Sequence, residues 1–282
     1  MTGTEKGKYL PGERDISLFQ EKIRDFYQRN GRHDLLWRKT SDPYHILVSE
    51  VMLQQTQVSR VICKYPLFIS IFPDVQSLSE ATLAEVLVVW KGMGYNRRAV
   101  SLRTIAGIVV SRFSGIIPDD EIVLSGFPGI GKATACSIAA FAFDRPTVFI
   151  ETNIRRVFIH CFFGDQAPVS DREIQPLVAM TLDREHPREW YYALMDYGAD
   201  LGRRIPNPNR RSTHYHKQPA FEGSDRQFRG LVLDLLLREG MIEKNDLVAR
   251  TGKKPEWTGE ILLGLVQDGF VTLENDTVRL RS

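Results

Sequence analysis

Two glycines flank one apolar residue at Gly129-Ile130-Gly131, within Leu124-Ser-Gly-Phe-Pro-Gly-Ile-Gly-Lys-Ala-Thr-Ala135, and the residues that follow can open a helix near Lys132. Backbone N–H groups exposed at the positive end of such a helix suit a phosphate oxygen. Glycine lets that backbone approach closely, because no Cβ intervenes. Shortly after, Glu151 stands where an extended apolar run, Pro146-Thr-Val-Phe-Ile150, gives way to Glu151-Thr-Asn-Ile-Arg-Arg-Val157 and a new helix. A phosphate-binding turn followed by an acid at a helix start points to chemistry on a nucleic acid. The plain alternative for the glycines alone is a tight turn between two helices.

A second acid lies in Ser49-Glu-Val-Met-Leu-Gln-Gln-Thr-Gln-Val58. Ile46, Leu47, Val51, Leu53 and Val58 fit an amphipathic helix, with Glu50 among them near the interior. Such an acid is either one half of an ion pair or a carboxyl kept partly protonated by desolvation, as a general acid requires. One turn on, Gln54, Gln55, Thr56 and Gln57 line up side-chain donors and acceptors that suit base edges. Taken alone, that polar run also fits a solvated helix end.

The elements that must position these residues are mostly helical. Helical spacing runs over Ile16–Gln28, over 44–72 as one long or two shorter helices, and over 83–90, 99–113, 132–141, 154–162, 171–181 and 189–201. Pro73, Pro118, Pro146, Pro168 and Pro187 punctuate them. From Ser224 the pattern restarts with helices over 228–237, 246–250 and 257–267. Two alternating runs, 270–273 and 277–280, then flank Asn275-Asp276, a hairpin signature. Three helices and a terminal hairpin predict a winged helix, a unit that either binds DNA or packs against protein.

With 282 residues the chain can bury a substantial core in two or three structural units. Its formal charge of +2 announces no global basic field, so affinity for nucleic acid has to come from local patches. Cys63, Cys136 and Cys161 lie far apart in apolar helical contexts and read as buried, reduced thiols in a reducing compartment. No long uncharged apolar run is present, so neither a membrane span nor a signal peptide is expected. A soluble intracellular protein, cytoplasmic or nucleoid-associated, is the expectation.

Taken together, the segments Leu36-Trp-Arg38, Pro43-Tyr44, 49–58, Trp90-Lys-Gly-Met-Gly-Tyr-Asn-Arg-Arg98, the 124–135 turn and Asn153-Ile-Arg-Arg-Val157 resemble the helix-hairpin-helix DNA glycosylases, most closely the MutY-type adenine glycosylases, over residues 33 to 202. The resemblance implies a mostly α, two-lobed helix-hairpin-helix glycosylase fold, here followed by a small winged-helix unit. It sets the expected division at 1–32 plus 145–222 for a discontinuous lobe carrying Glu151, 33–144 for a lobe carrying Glu50 and the hairpin, and 224–282 for the winged helix. The implied reaction removes adenine mispaired with guanine or 8-oxoguanine from double-stranded DNA. In it Glu50 is the general acid towards the base, Glu151 faces the sugar, and Asn153 orients Glu151 or the sugar. Gln55 and Tyr95 match the family's intercalating positions, and Gln54, Thr56, Gly129, Gly131 and Lys132 are further DNA contacts. The other reading of Tyr95 is a ring packing beneath the Gly92 and Gly94 turn.

Bifunctional relatives place a lysine nucleophile two residues after the second hairpin glycine. Ala133 stands there, so hydrolysis without lyase activity is expected. Two further departures matter. Many family members carry four cysteines after the last lobe helix, whereas residues 198–219 contain none, so neither an iron–sulfur cluster nor another metal or cofactor is expected. That stretch instead holds Arg203, Arg204, Arg210, Arg211 and Lys217, and Arg210 and Arg211 are assigned to the DNA backbone. Glu151, in turn, replaces the family's usual Asp. The larger C-terminal domain typical of MutY-type enzymes is also missing. A thymine or uracil glycosylase on the same scaffold, or a non-catalytic DNA binder, stands as the alternative. A monomer acting on mismatched or damaged duplex DNA, away from membranes, is the expectation.

Overall fold

A computed structural model describes residues 11–216 and 221–281. The chain divides into two compact units, one comprising Met1–Ser41, Asp119–Ile122 and Gly131–Lys217, the other Asp42–Pro118, Val123–Ile130 and Gln218–Ser282. The elements follow in the order α1 (Glu13–Asn30), α2 (Pro43–Leu53), α3 (Val58–Ile71), α4 (Val75–Glu80), α5 (Leu83–Trp90), α6 (Arg97–Phe113), α7 (Glu121–Ser125), α8 (Lys132–Phe143), α9 (Thr152–Phe162), α10 (Asp171–Thr181) and α11 (Pro187–Arg204). The C-terminal part adds α12 (Asp225–Glu239), β1 (Met241–Glu243), α13 (Lys244–Thr251), α14 (Pro255–Gln267), β2 (Val271–Glu274) and β3 (Thr277–Leu280). Among the described residues no helix is long and apolar enough to cross a membrane.

In the first unit α1 buries Phe19, Ile23 and Tyr27, one residue per turn, and Phe19 meets Phe158 and Phe162 of α9 edge-on or tilted at 5.5 and 5.0 Å. α9 lies against α11 at a close approach that glycine permits. A Cβ on Gly198 would collide with the Asn153 carbonyl, and one on Gly202 would stand 2.6 Å from the Arg156 guanidinium. α8 belongs to this unit because Phe141 stacks on Tyr192 of α11 at 4.6 Å, and because the Thr147 hydroxyl donates to the Cys136 carbonyl. Residues 33–41 belong here too. Asp196 of α11, 3% exposed, accepts from the Arg32 N–H and Nε at 2.7 Å each and bidentately from Arg38 at 2.8 and 2.9 Å. Burial raises the Asp196 pKa, but the Arg38 hydrogen bonds and charge outweigh it and hold the carboxyl below the ordinary value.

In the second unit α6 presents Leu102, Ile105, Ala106 and Val109 to the core, where α4 and α5 meet it. α2 starts on Asp42, whose carboxylate accepts the His45 N–H at 2.9 Å, with Pro43 in the first turn where its missing N–H costs nothing. The C-terminal elements form an antiparallel sheet in the order β1-β3-β2, packed on Val232, Leu236, Leu262 and Leu265. Helix–strand–helix–helix–strand–strand with that order is a winged helix, and Asn275 and Asp276 both take left-handed φ at its hairpin turn.

Of the two arrangements expected for 44–72, the structure has the two shorter helices, separated at Gln55, which adopts a φ of 51°. The two units divide at 41/42 and 130/131, for the packing reasons just given. The C-terminal part groups with the Glu50-bearing unit instead of standing alone, through the contacts of α12 and α14 with residues 91–97 described below.

Candidate active site

Glu151 sits at the N-cap of α9 with extended backbone, and its carboxylate folds back onto the helix start. Oε1 accepts the N–H groups of Asn153 and Ile154 at 2.6 and 2.8 Å, and Oε2 accepts from Asn153 Nδ2 at 3.3 Å. A carboxylate there satisfies two orphan donors and faces the positive end of the helix. Burial nevertheless dominates and raises the Glu151 pKa above the ordinary value. The two backbone hydrogen bonds and the charges of Arg155 and Arg156 pull the other way.

Asn153 is fixed from behind. Its Oδ1 accepts from Arg156 Nη1 at 2.8 Å, the same nitrogen donates to the Gly198 carbonyl at 2.6 Å, and Arg156 Nε donates to Asn207 Oδ1 at 3.2 Å. A hydrogen-bonded chain thus runs from Glu151 through Asn153 and Arg156 into the 205–214 loop. Sequence reasoning missed Arg156, Gly198 and Asn207. The i, i+4 pair of glycines on α11 was the available signal for close packing against α9.

The 205–214 loop is itself pinned. Asn209 Nδ2 donates to the Thr152 carbonyl at 2.9 Å. The Val169 N–H donates to the Arg211 carbonyl at 2.8 Å, and the Thr213 N–H returns to the Val169 carbonyl at 2.9 Å. Arg211 gives its guanidinium to the carbonyls of Gly164 and Ile159, the latter at 3.2 Å. Of the two arginines assigned to DNA, Arg211 is therefore engaged in holding the chain, while Arg210 is exposed. Lys217 lies outside the described residues. A four-thiolate cluster does not fit this donor set, since the chain has three cysteines, on α3, α8 and α9; of these Cys136 is buried as expected, whereas Cys63 is exposed because it lies on the solvent side of α3. Among the described residues no three His, Cys, Asp or Glu side chains gather as a metal site.

In the other unit Glu50 lies in the last turn of α2, half-buried beside the buried Ser49 and Val51. The α2–α3 connection exposes Gln55 and Gln57 and half-buries Gln54 and Thr56. Gln54 Nε2 donates to the Gly129 carbonyl at 3.1 Å, which brings that connection onto the hairpin. Gly129 has a φ of 78°, and a Cβ there would stand 2.8 Å from Ser101 Oγ, so both conformation and space demand glycine. Gly131 and Lys132 already belong to the first unit: Gly131 caps α8 with open space around it, and Lys132 is exposed at the first helical position.

Arg98, which sequence reasoning gave no role, organises this unit's candidate residues. Buried to 8% exposure, its guanidinium donates to the carbonyls of Val51, Met52 and Gln54 at 3.0, 2.8 and 2.6 Å. It also donates to those of Met93 and Gly94 at 3.3 and 2.9 Å. The end of the Glu50 helix and the 92–95 turn are thereby tied to one cation, whose pKa burial pushes down to about 10. Tyr95 stands on that turn with a φ of 47°, is 36% exposed, and has the Arg98 guanidinium 5.6 Å from its ring centroid, while Trp90 Nε1 donates to the Gly94 carbonyl.

Residues 48–177 match the HhH-GPD superfamily of base excision DNA repair proteins. The adenine DNA glycosylase of Buchnera aphidicola subsp. Baizongia pistaciae is 35% identical over 186 residues, covering 64% of this chain and 52% of its own. That of Mycobacterium tuberculosis is 34% identical over 247 residues, covering 80% of each chain. The chain thus spans about half the length of the first relative and four-fifths of the second. Among solved structures, a thermostable thymine-DNA glycosylase superposes with a TM-score of 0.59 at 24% identity, over 66% of this chain and 87% of that one. A non-covalent endonuclease III–DNA complex does so at 0.55 and 16%, over 66% and 85%; both likenesses speak to fold. The chain belongs to the HhH-GPD superfamily of base excision DNA repair proteins and, within it, to the adenine DNA glycosylases.

Proposed function

We propose that the protein is a monofunctional DNA glycosylase that hydrolyses the N-glycosidic bond of adenine mispaired with guanine or 8-oxoguanine in duplex DNA. The observation that carries this reading is the Glu151 carboxylate, held by two backbone N–H groups and Asn153 at a helix start, in a chain 34% identical to an adenine DNA glycosylase over 80% of that relative. Protonation of the base by Glu50 makes the leaving group neutral as the bond to the sugar breaks. The anionic Glu151 stabilises the oxocarbenium character left behind, and water completes the hydrolysis; two carboxyl groups share the same task in glycoside hydrolysis. Ala133, in place of a lysine nucleophile, leaves no side chain there for a Schiff base. No step involves an iron–sulfur cluster or a metal.

Tyr95 and Gln55 enter the stack as the adenine leaves it, and the hairpin N–H groups, Lys132 and Arg210 take the backbone. Gln54 and Thr56 border the base from the α2–α3 connection. The decisive experiment scores abasic-site formation in single turnover across a panel of mispaired duplexes. Excision of adenine from A·G or A·8-oxoguanine is expected; excision of thymine from T·G alone would overturn the assignment. Glu50→Gln should abolish excision with duplex binding kept within a few fold. At position 151 the rates should fall in the order Glu, Asp, Gln, since Asp draws the charge back and Gln removes it. An Asp variant faster than the native Glu, or equal rates for Glu and Gln, would remove Glu151 from the stated role.

A further inference from the structure

In a winged helix the second of the two consecutive helices and the hairpin wing are the elements that enter or flank a DNA groove. Here α14, Pro255–Gln267, contains no lysine or arginine, and its exposed residues include Glu256 and Glu260. The hairpin tip is Glu274-Asn275-Asp276, all exposed. The hairpin tip thus offers a phosphate backbone no cation, whereas exposed Lys253 and Lys254 stand just before α14. Arg226 and Asp234 of α12 and Asp268, just past α14, meet the segment that carries Tyr95.

Three side chains of that segment are engaged. Lys91 pairs with Asp234 of α12. Arg97 pairs with Asp268, just past α14, at 3.1 Å, and Asp268 is held in turn by Arg229. Between them, Arg226 Nη1 of α12 donates to the Tyr95 hydroxyl at 3.0 Å, with its guanidinium 5.9 Å from the ring centroid. From the other side Arg98 fixes the backbone of the same turn through the Met93 and Gly94 carbonyls. Arg98 thus sets the course of the turn and lies 5.6 Å from the Tyr95 ring centroid, and Arg226 adds a hydrogen bond to the ring's hydroxyl end.

We propose that Arg226 is a positioning residue for Tyr95, and that the C-terminal winged helix serves as the brace that orients this ring for insertion into mismatched DNA. The proposal rests on the assignment of Tyr95 as an intercalating residue. An exposed tyrosine on a left-handed backbone has its side-chain torsions to settle when it enters a stack. A guanidinium that holds the phenol from one end settles them in advance and leaves the ring available, so less freedom is lost on binding.

The test uses the full chain and a duplex with 2-aminopurine beside the mispaired adenine, whose fluorescence rises as neighbouring bases unstack. Arg226→Ala should lower both the fluorescence amplitude and the single-turnover excision rate, the latter by about tenfold, the scale on which misplacement of a positioning group acts. Affinity for fully paired duplex should stay within twofold. Tyr95→Phe, which deletes only the hydroxyl that Arg226 holds, should reproduce the loss. The double variant should fall no further, because both changes break one contact. Arg250→Ala, on the far helix α13, controls for general loosening and should change nothing. Additive losses in the double variant would reduce Arg226 to a stabilising role and overturn the proposal. Faster excision by Arg226→Ala would make the contact a restraint and overturn it too. If Tyr95→Ala loses amplitude and rate while Arg226→Ala keeps both, the brace falls and the intercalating assignment stands; if Tyr95→Ala keeps its amplitude, that assignment falls first.

Discussion

The 91–97 turn and the 205–214 loop are both irregular segments held by arginine, and they are held in different ways. The loop is fastened to its own unit by hydrogen bonds from Asn209 and Arg211 to backbone carbonyls and by a single strand-like bridge at Val169 and Ser212. The turn is fastened once from within, by the buried Arg98, and again from outside by ion pairs whose cations, Lys91 and Arg97, are 58% and 75% exposed. Bonds to carbonyls are barely touched by salt, whereas exposed ion pairs weaken as it rises. One segment is built to stay and the other to be adjusted, which suits a support behind Glu151 on one side and a residue that must enter DNA on the other.

The largest effect is expected at the inner fastening of the turn. Arg98→Ala takes a buried donor from the carbonyls of Val51, Met52, Gln54 and Met93, and one of two side-chain donors from that of Gly94, and should cost about 3 kcal/mol or more, read from urea unfolding. A loss below about 1 kcal/mol would mean that water replaces the guanidinium and that the turn has no rigid side.

Next come the two loop arginines, which the comparison separates. Arg211→Ala should cost about 1–3 kcal/mol of stability by leaving carbonyls unpaired, with the salt dependence of duplex binding unchanged. Arg210→Ala should leave stability alone and flatten that salt dependence by about one unit of slope. The reverse pattern would make the loop a DNA contact and not a support.

A smaller effect, of known sign, is expected at the end of the chain that this loop supports. The Glu151 carboxyl has its folded pKa raised by burial, so its ionisation costs stability. The cost is absent below the unfolded value near 4.5 and grows as pH rises through the raised folded value. Glu151→Gln keeps an oxygen for the N–H groups of Asn153 and Ile154. Its Tm should match the native protein in acid and exceed it near neutrality. A Tm deficit for Gln at neutral pH would show that the helix start prefers the charge. The smallest effect is on dynamics alone: raising salt from 0.05 to about 0.5 M should speed amide exchange in 91–97 through screening of the exposed pairs, with 205–214 unaffected. Equal acceleration in both would erase the distinction between them.

Much of this was legible in the chain. Periodicity located α1, α6 and α9–α12 to within a few residues, and Asn275-Asp276 announced the hairpin because both residues tolerate left-handed φ. Short elements escaped. α4 and α7 are too brief for a period to show, and β1, three residues long, exists only through its pairing with β3. Residue type nominated Glu50, Glu151 and the hairpin glycines as candidates, because each states a chemistry on its own. Burial was not legible: nothing in the letters Asn96-Arg-Arg98 says that Arg97 meets solvent and Arg98 the interior. Arg210 and Arg211 pose the same problem, since adjacent cations look alike until the fold turns one of them inward.

Glu151 caps α9 and, on the reading proposed here, faces the sugar, and the two duties carry opposite demands. Capping is served by any short oxygen acceptor, and burial would favour a neutral one. Lineages propagated under heat stress alone, with repair made dispensable, would be expected to drift away from glutamate at this position. Its retention under such a regime would be a record of use, legible in descendants without a single enzyme assay.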